Sequence, residues 1–104
     1  MVIADLNTYE TIYIVRPDLN EDSLLKIIET YQGTLTERGA QDLVTQNRGR
    51  RHLKYSINKF RDGVYIQMNY KGNGELITFL ERSMKINENI LRVLTTKVPA
   101  SHPQ

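Results

Sequence analysis

Hydrophobic and polar residues alternate along several segments of the chain, and elsewhere they recur at helical spacing. The first alternating segment, Thr8 to Arg16, is rich in β-branched and aromatic residues and stops at Pro17. It therefore predicts a strand, because proline removes a backbone donor from the sheet. One face of this strand carries Ile12 and Ile14; the other carries Tyr9, Thr11 and Tyr13.

Two segments have the spacing of amphipathic helices. In the first, the apolar residues Leu24, Ile27, Ile28 and Tyr31 follow the i, i+3, i+4, i+7 pattern. We predict a helix over about Glu21 to Gln32, capped by Asp18 or Asn20 and ended by Gly33. The second helix is predicted over about Glu75 to Lys85. Its apolar face comprises Leu76, Ile77, Phe79, Leu80 and Met84.

Between the helices the pattern changes from weak to clear. Residues 34–47 are polar and predict the start of a second strand with a loop or bulge near Gly39. Leu53, Tyr55 and Ile57 then alternate with polar residues, which is typical of a strand. Asp62-Gly63 is a common hairpin-turn pair, so we expect the turn there. A third strand follows over Val64 to Tyr70, with Tyr65, Gln67 and Asn69 opposite its aliphatic face.

After the second helix, Ile90 to Val98 predicts a fourth strand. The order strand, helix, strand, strand, helix, strand indicates an α+β protein of the ferredoxin-like (split βαβ) class. Two helices would cover one face of a four-stranded antiparallel sheet and leave the other face open. We expect one domain over residues 1–98 and a short disordered tail over residues 99–104.

Composition narrows the function. The chain has 104 residues, 39% of them hydrophobic, and no cysteine. No apolar run approaches the roughly 20 residues that span a bilayer, and Met1 to Asp5 lack a basic leader, so we expect a soluble intracellular protein without membrane contact. His52 and His102 are the only histidines. With no ligand cluster, catalytic triad or phosphate loop, we expect no metal, no cofactor and no catalytic residues, hence no enzyme.

Charge is distributed unevenly. Residues 1–47 hold three basic and eight acidic side chains, whereas residues 48–104 hold eleven and four. The window Arg48 to Arg61 contains six basic residues and no acidic one. Such clustering is typical of a polyanion site, because neutralised phosphates release counterions. With Leu53, Tyr55 and Ile57 in the core, Arg51 would share their side, and Arg50, His52 and Lys54 would lie opposite. The alternative is a solvated hairpin whose charge only improves solubility.

Two further features have competing interpretations. Tyr9, Tyr13 and Tyr65 lie opposite the aliphatic residues of their strands, where they could stack bases or contact a protein. Alternatively they pack at the edge of the core. Gly72-Asn73-Gly74 could hold an anion through backbone N–H groups, but a turn followed by a capped helix explains such a sequence more often. No RNP-type string is present.

Three segments together resemble the family of bacterial-type small-subunit ribosomal protein number six. They are Tyr9 to Pro17, Asn47 to Lys59, and Ile86 to Leu94, so the resemblance spans about Thr8 to Val98. The middle segment is similar to the family's run of aromatic, glycine, two arginines, leucine, alanine, tyrosine, proline and isoleucine. It departs at Arg48, Lys54 and Ser56, which replace the aromatic, the alanine and the proline.

The resemblance implies a structural protein of the small ribosomal subunit, plastid or bacterial. It would bind the central (platform) region of small-subunit ribosomal RNA together with ribosomal protein number eighteen, and be a monomer when free. By position, the implied RNA contacts are Arg48, Arg50, Arg51, Lys54, Lys59, Arg92 and Tyr9. Tyr13 and Tyr65 would contact the partner protein.

Two other functions stay open on the same fold. A dimeric ligand-sensing regulatory module would place a small molecule between paired sheets, an idea that rests on fold analogy alone. A small acyl-phosphate hydrolase would need a phosphate cradle followed by a positioned arginine and asparagine, and no such loop is present. RNA binding is the interpretation that the charge distribution favours.

Overall fold

A computed structural model describes residues 6–99. It confirms the predicted order of six elements and the antiparallel sheet, whose strands lie in the order β2-β3-β1-β4. The elements are β1 (Asn7–Val15), α1 (Glu21–Glu37), β2 (Gln41–Ile57), β3 (Phe60–Gly72), α2 (Gly74–Lys85) and β4 (Ile90–Val98). Both the predicted leader-free start, Met1 to Asp5, and the predicted tail from residue 100 onward lie outside the described residues.

Helix α1 is longer than predicted. Asn20 caps it by accepting a hydrogen bond from the Ser23 backbone N–H at 2.8 Å. The predicted stop at Gly33 is wrong, because the apolar stripe continues to Leu35, which is fully buried. Burying a leucine contributes roughly 1.5–3 kcal/mol, more than the ~1 kcal/mol that glycine costs inside a helix. The helix instead ends before Gly39, whose φ of +93° suits glycine.

The core lies between the helices and one face of the sheet. Tyr13 is fully buried there, with its ring 5.7 Å from that of Tyr31 in an edge-on arrangement. The prediction that Tyr13 faces the open side of the sheet is therefore wrong, and Ile12 and Ile14 face that side instead. The buried cluster comprises Tyr13, Val15, Ile27, Tyr31, Leu35, Ile66, Met68, Tyr70, Leu76, Leu80, Met84 and Ile90.

The β2–β3 hairpin turns earlier than predicted. Its two turn residues are Asn58 and Lys59, with φ of 50° and 72°, and Ile57 pairs with Phe60. Positive φ at both positions is what a type I′ hairpin turn requires, and asparagine tolerates it well. Asp62-Gly63, the predicted turn, lies inside β3. The reason for a glycine there is packing and not a turn.

The hairpin extends beyond the four-stranded sheet. Strand β1 pairs with β3 only from Val64 to Gly72, so the part of the hairpin closest to the turn has no third strand beside it. We call residues 48–63 the arm. It contributes to a molecule that measures 49 × 31 × 20 Å. Within residues 6–99, no helix is long and apolar enough to cross a membrane.

Candidate nucleic-acid interface

The arm places basic side chains on both of its faces. Cross-strand neighbours share a face, and Arg50 pairs with Val64 while Arg51 pairs with Gly63. Because Val64 packs against the core, Arg50 lies on the helix side of the arm and Arg51 on the open side of the sheet. The prediction that the two arginines lie on opposite faces is confirmed. Their sides are reversed, because Tyr55 is 73% exposed and does not anchor the strand in the core.

On the helix side, one carboxylate contacts an arginine and a histidine side chain. Arg50 donates from Nε and Nη2 to Asp62 Oδ2 at 3.2 and 3.1 Å, and His52 Nδ1 lies 2.5 Å from Asp62 Oδ1. Such exposed pairs contribute at most about 1 kcal/mol each. They hold the arginine fork in place without hiding it, since the Arg50 side chain stays 62% exposed. Sequence reasoning missed Asp62 because it assigned this residue to the turn.

On the open side, the arm continues into the sheet. The Arg51 guanidinium carbon lies 5.6 Å from the centroid of the Tyr65 ring, within the range of a cation–π contact. Tyr65 pairs with Ile14, which pairs on its other side with Arg92. Arg51, Tyr65 and Arg92 are thus brought to one face, where Tyr65 and Arg92 border an open cavity of about 410 Å³. This cavity is lined by Ile12, Ile14, Tyr65, Arg92, Val93 and Leu94.

The remaining predicted contacts are at the base and the end of the arm. Arg48 lies in a bulge where Gly49 has a φ of +89°, and its Nη1 donates to Gln46 Oε1 at 3.1 Å. Lys54 is exposed on a second bulge, and Lys59 is exposed at the turn. An edge strand tolerates these bulges because only one of its sides is paired. The whole basic set therefore remains accessible to a ligand.

Two tyrosines do not belong to this surface. Tyr13 is in the core, and burial raises its pKa far above the ordinary value, reinforced by nearby Tyr31. Tyr9 is half-buried, with its ring 6.3 Å from Tyr70, on the same core-facing side. Val15 could have indicated that these tyrosines face the core. It lies on the same face of β1 as Tyr9 and Tyr13, and it belongs to the buried core cluster.

Strand β1 also carries a buried polar contact in the core. The Thr11 hydroxyl lies 2.7 Å from the Tyr70 hydroxyl and 2.9 Å from that of Thr95. Burial raises the Tyr70 pKa, and the hydrogen bond with Thr11 opposes that rise. These groups are satisfied inside the fold, so they stabilise it and belong to no surface site.

The glycine-rich turn before α2 forms a helix cap. Asn73 Oδ1 accepts a hydrogen bond from the Leu76 backbone N–H at 2.9 Å, which occupies this end of the helix. The turn-and-cap interpretation is therefore the one that the geometry supports. Over residues 6–99, no cluster of three or more His, Asp or Glu side chains could hold a metal ion, and His102 lies outside this range.

Comparison with known proteins identifies relatives along nearly the whole chain. Residues 8–97 match the model of the family described as Ribosomal protein S6. Small ribosomal subunit protein bS6c of Guillardia theta is 66% identical over 96 residues, covering 92% of this chain and all of that relative. The bS6c protein of Pyropia yezoensis is 53% identical over 92 residues (88% and 84% covered), and bS6 of a Cyanothece species 49% over 87 residues (84% and 82% covered).

Solved structures support the same fold. The crystal structure of 30S ribosomal protein S6 from Thermotoga maritima superimposes with a TM-score of 0.81 at 23% identity, covering 90% of this chain and 89% of that one. The CPII protein of Thiomonas intermedia, bound to ADP, AMP and acetate, gives 0.52 at 14% identity with 93% and 94% covered. At these identities the likeness shows the fold alone. From the family match and the chloroplast and bacterial relatives together, this chain belongs to the ribosomal protein S6 family, structural constituents of the small ribosomal subunit and not enzymes.

Proposed function

We propose that this protein binds the central (platform) region of small-subunit ribosomal RNA together with ribosomal protein number eighteen, and so supports subunit assembly and translation. The observation that carries the proposal is the arm, which presents exposed cations on both faces. A hairpin with charge on one side could lie along one strand of RNA. Charge on both sides suits insertion between two backbone segments.

The proposed RNA contacts share exposure and position. Arg50 and Arg51 lie back to back near the base of the arm, and arginine forks match the geometry of phosphate oxygens. Arg50 donates two hydrogen bonds to Asp62, which fix the position of its guanidinium while its side chain stays exposed. The other proposed phosphate contacts are Arg48, Lys54, Lys59 and Arg92.

For the partner protein we propose the open face of the sheet. It exposes an apolar patch in which Leu94 is 63% accessible, next to Ile12 and Tyr65. An apolar centre rimmed by arginines resembles a protein interface more than a phosphate site, which would carry charge at its centre. Tyr65, held by Arg51, is the proposed aromatic anchor. Tyr9 and Tyr13 are not proposed as contacts, since their rings lie against or within the core.

The test is RNA binding by an arm variant and a charge-matched control. We expect Arg50→Ala with Arg51→Ala to weaken binding to a platform RNA fragment about tenfold or more, with protein number eighteen present. The slope of the log binding constant against log salt concentration should become less negative by about 1–2 units, because each lost phosphate contact contributes roughly 0.7–0.9 to it. Equal affinity of this variant and the unaltered protein would contradict the proposal.

The control removes the same charge elsewhere. Arg82→Ala with Lys85→Ala deletes two exposed cations from α2, away from the arm. Its affinity and salt dependence should match those of the unaltered protein. Light scattering of the free protein should give a monomer. A dimer whose thermal stability rises with a metabolite and not with RNA would instead favour a ligand-sensing module.

A further inference from the structure

Near the turn, the two strands of the arm pair with unequal numbers of residues. His52 pairs with Asp62 and Ile57 pairs with Phe60, so four residues of β2 oppose the single residue Arg61 of β3. A common bulge sets two residues against one. The segment Leu53–Ser56 therefore leaves the ladder and bows outward. We call it the arm bulge.

An open cavity lies against the arm bulge. Its volume is about 600 Å³, within the roughly 300–1,000 Å³ of small-ligand sites. Its lining combines a half-buried apolar residue, Leu53, with an aromatic ring and several polar groups. The lining residues are His52, Leu53, Lys54, Tyr55, Ser56 and Arg61.

Tyr55 is the unusual member of this set. Its side chain is 73% exposed, although burial of a tyrosine ring normally contributes much to a core or an interface. Lys54 Nζ lies 6.0 Å from the ring centroid, at the outer limit of a cation–π contact, so the ring is not covered by its neighbour. A flat, uncovered aromatic face beside two cations is a stacking platform.

The charges determine which ligand would fit. Lys54 and Arg61 contribute positive charge, and the lining residues of this cavity include no carboxylate. Asp62, the neighbouring acid, is directed toward Arg50 and His52 on the helix side of the arm. The ligand is therefore anionic and has a flat face, the two properties that a nucleotide combines. Aromatic stacking requires that its base be unpaired.

We propose that the arm bulge is a binding subsite for a single unpaired nucleotide of the RNA. The base stacks on Tyr55, and Lys54 and Arg61 neutralise the adjoining phosphate. The inference rests on the proposed RNA-binding function and adds to it. The base of the arm contacts backbone phosphates, whereas the arm bulge selects a position where a base is free to leave its stack.

The test separates stacking from charge. Tyr55→Ala should lower the affinity for the platform RNA fragment about tenfold, while Tyr55→Phe, which keeps the ring, should bind as the unaltered protein does. Neither change should alter the salt dependence, since tyrosine carries no charge. Lys54→Ala should instead make the slope of the log binding constant against log salt concentration less negative by about 0.7–0.9. Circular dichroism should show all three variants folded, because Lys54 and Tyr55 are exposed.

A fluorescent base locates the contact. Replacing unpaired adenines of the fragment one at a time with 2-aminopurine, we expect one position whose fluorescence is quenched by the unaltered protein and by Tyr55→Phe, and not by Tyr55→Ala. Quenching that is the same for the unaltered protein and for Tyr55→Ala at every position would overturn the proposal.

Other outcomes also decide the matter. Unchanged RNA affinity of Tyr55→Ala, with Arg50→Ala plus Arg51→Ala still defective, would overturn the subsite and leave the proposed function intact. If Tyr55→Ala fails to bind protein number eighteen in the absence of RNA, Tyr55 belongs to the interface with that protein, and the subsite is overturned too. If the unaltered protein binds no platform RNA even with that partner, both proposals fail.

Discussion

Gly63 of β3 lies directly beneath Ile14 of β1 on the open face of the sheet, so closely that a Cβ at position 63 would overlap Ile14 Cγ2. The contact sits where the arm meets the four-stranded sheet, next to the pairing of Val15 with Val64. It lets a side chain of β1 cover the backbone of β3 at this junction. The glycine thus serves close packing between strands, and not the turn for which its Asp-Gly sequence is typical.

Substituting this glycine should destabilise the fold. We expect Gly63→Ala to lower the free energy of unfolding by about 1–3 kcal/mol, the usual cost of overpacking. Urea denaturation followed by circular dichroism measures the change. Gly33→Ala is the matched control: Gly33 lies inside α1 with open space around its Cα, so alanine should raise stability by up to ~1 kcal/mol. Equal effects of the two substitutions would refute the packing role of Gly63.

The buried hydroxyl of Tyr13 should make the protein sensitive to alkali. Its oxygen has no hydrogen-bond partner within residues 6–99, and burial raises its pKa above the ordinary value of 10.0. Because the folded-state pKa exceeds the unfolded one, this group's contribution is fully present below pH 10. It is lost as the pH rises through the folded-state pKa, where the unfolded chain ionises first.

Tyr13→Phe tests this dependence. At neutral pH we expect stability equal to or slightly above that of the unaltered protein, because the variant buries no unpaired hydroxyl. Above pH 10 its free energy of unfolding should fall less steeply with pH. Urea titrations between pH 8 and pH 11 measure both slopes, and parallel slopes would show that Tyr13 does not contribute. Tyr65→Phe, at a half-buried ring on the open face, is the comparison.

Asp62 should moderate the affinity of the arm for RNA. Its carboxylate neutralises part of the charge of Arg50, so Asp62→Asn should tighten RNA binding and steepen its salt dependence. Stability should fall by less than about 1 kcal/mol, since the pairs are near the surface. Filter binding at several salt concentrations measures the first effect. Weaker binding would mean that holding Arg50 in place matters more than the net charge.

The local elements of this protein follow from short-range patterns. Helical and strand periodicity predict the apolar stripe of α1 and the alternation of β3. The cap residue Asn20 is likewise recognised from its own residue type and position in the chain. The element order then allows few ways to bury these faces, and the ferredoxin-like plan is one of them. The density of cations in Arg48 to Arg61 is likewise a property of the sequence.

Which face of each strand is buried was decided by long-range packing. Strand β1 has an aliphatic and an aromatic face, and either could cover a core. Tyr13 is inside because Tyr31 of α1 packs edge-on against its ring. The buried contact between the hydroxyls of Thr11 and Tyr70 joins residues 59 positions apart, a tertiary contact that no local pattern encodes.

The same holds for the hairpin. Judged from neighbouring residues alone, the chain offers two plausible turns, at Asn58-Lys59 and at Asp62-Gly63. The turn forms at Asn58-Lys59, and Gly63 packs instead beneath Ile14, a residue 49 positions away in sequence.

The basic character of the proposed binding surface was therefore determined by the sequence alone, since charge is a property of composition. Its geometry was decided only by the tertiary structure. Strand pairing set Arg50 and Arg51 on opposite faces, directed Asp62 toward Arg50, and bowed Leu53–Ser56 out of the ladder to expose Tyr55. The physical reason is that register and bulges depend on contacts between strands distant in sequence, which local periodicity does not specify.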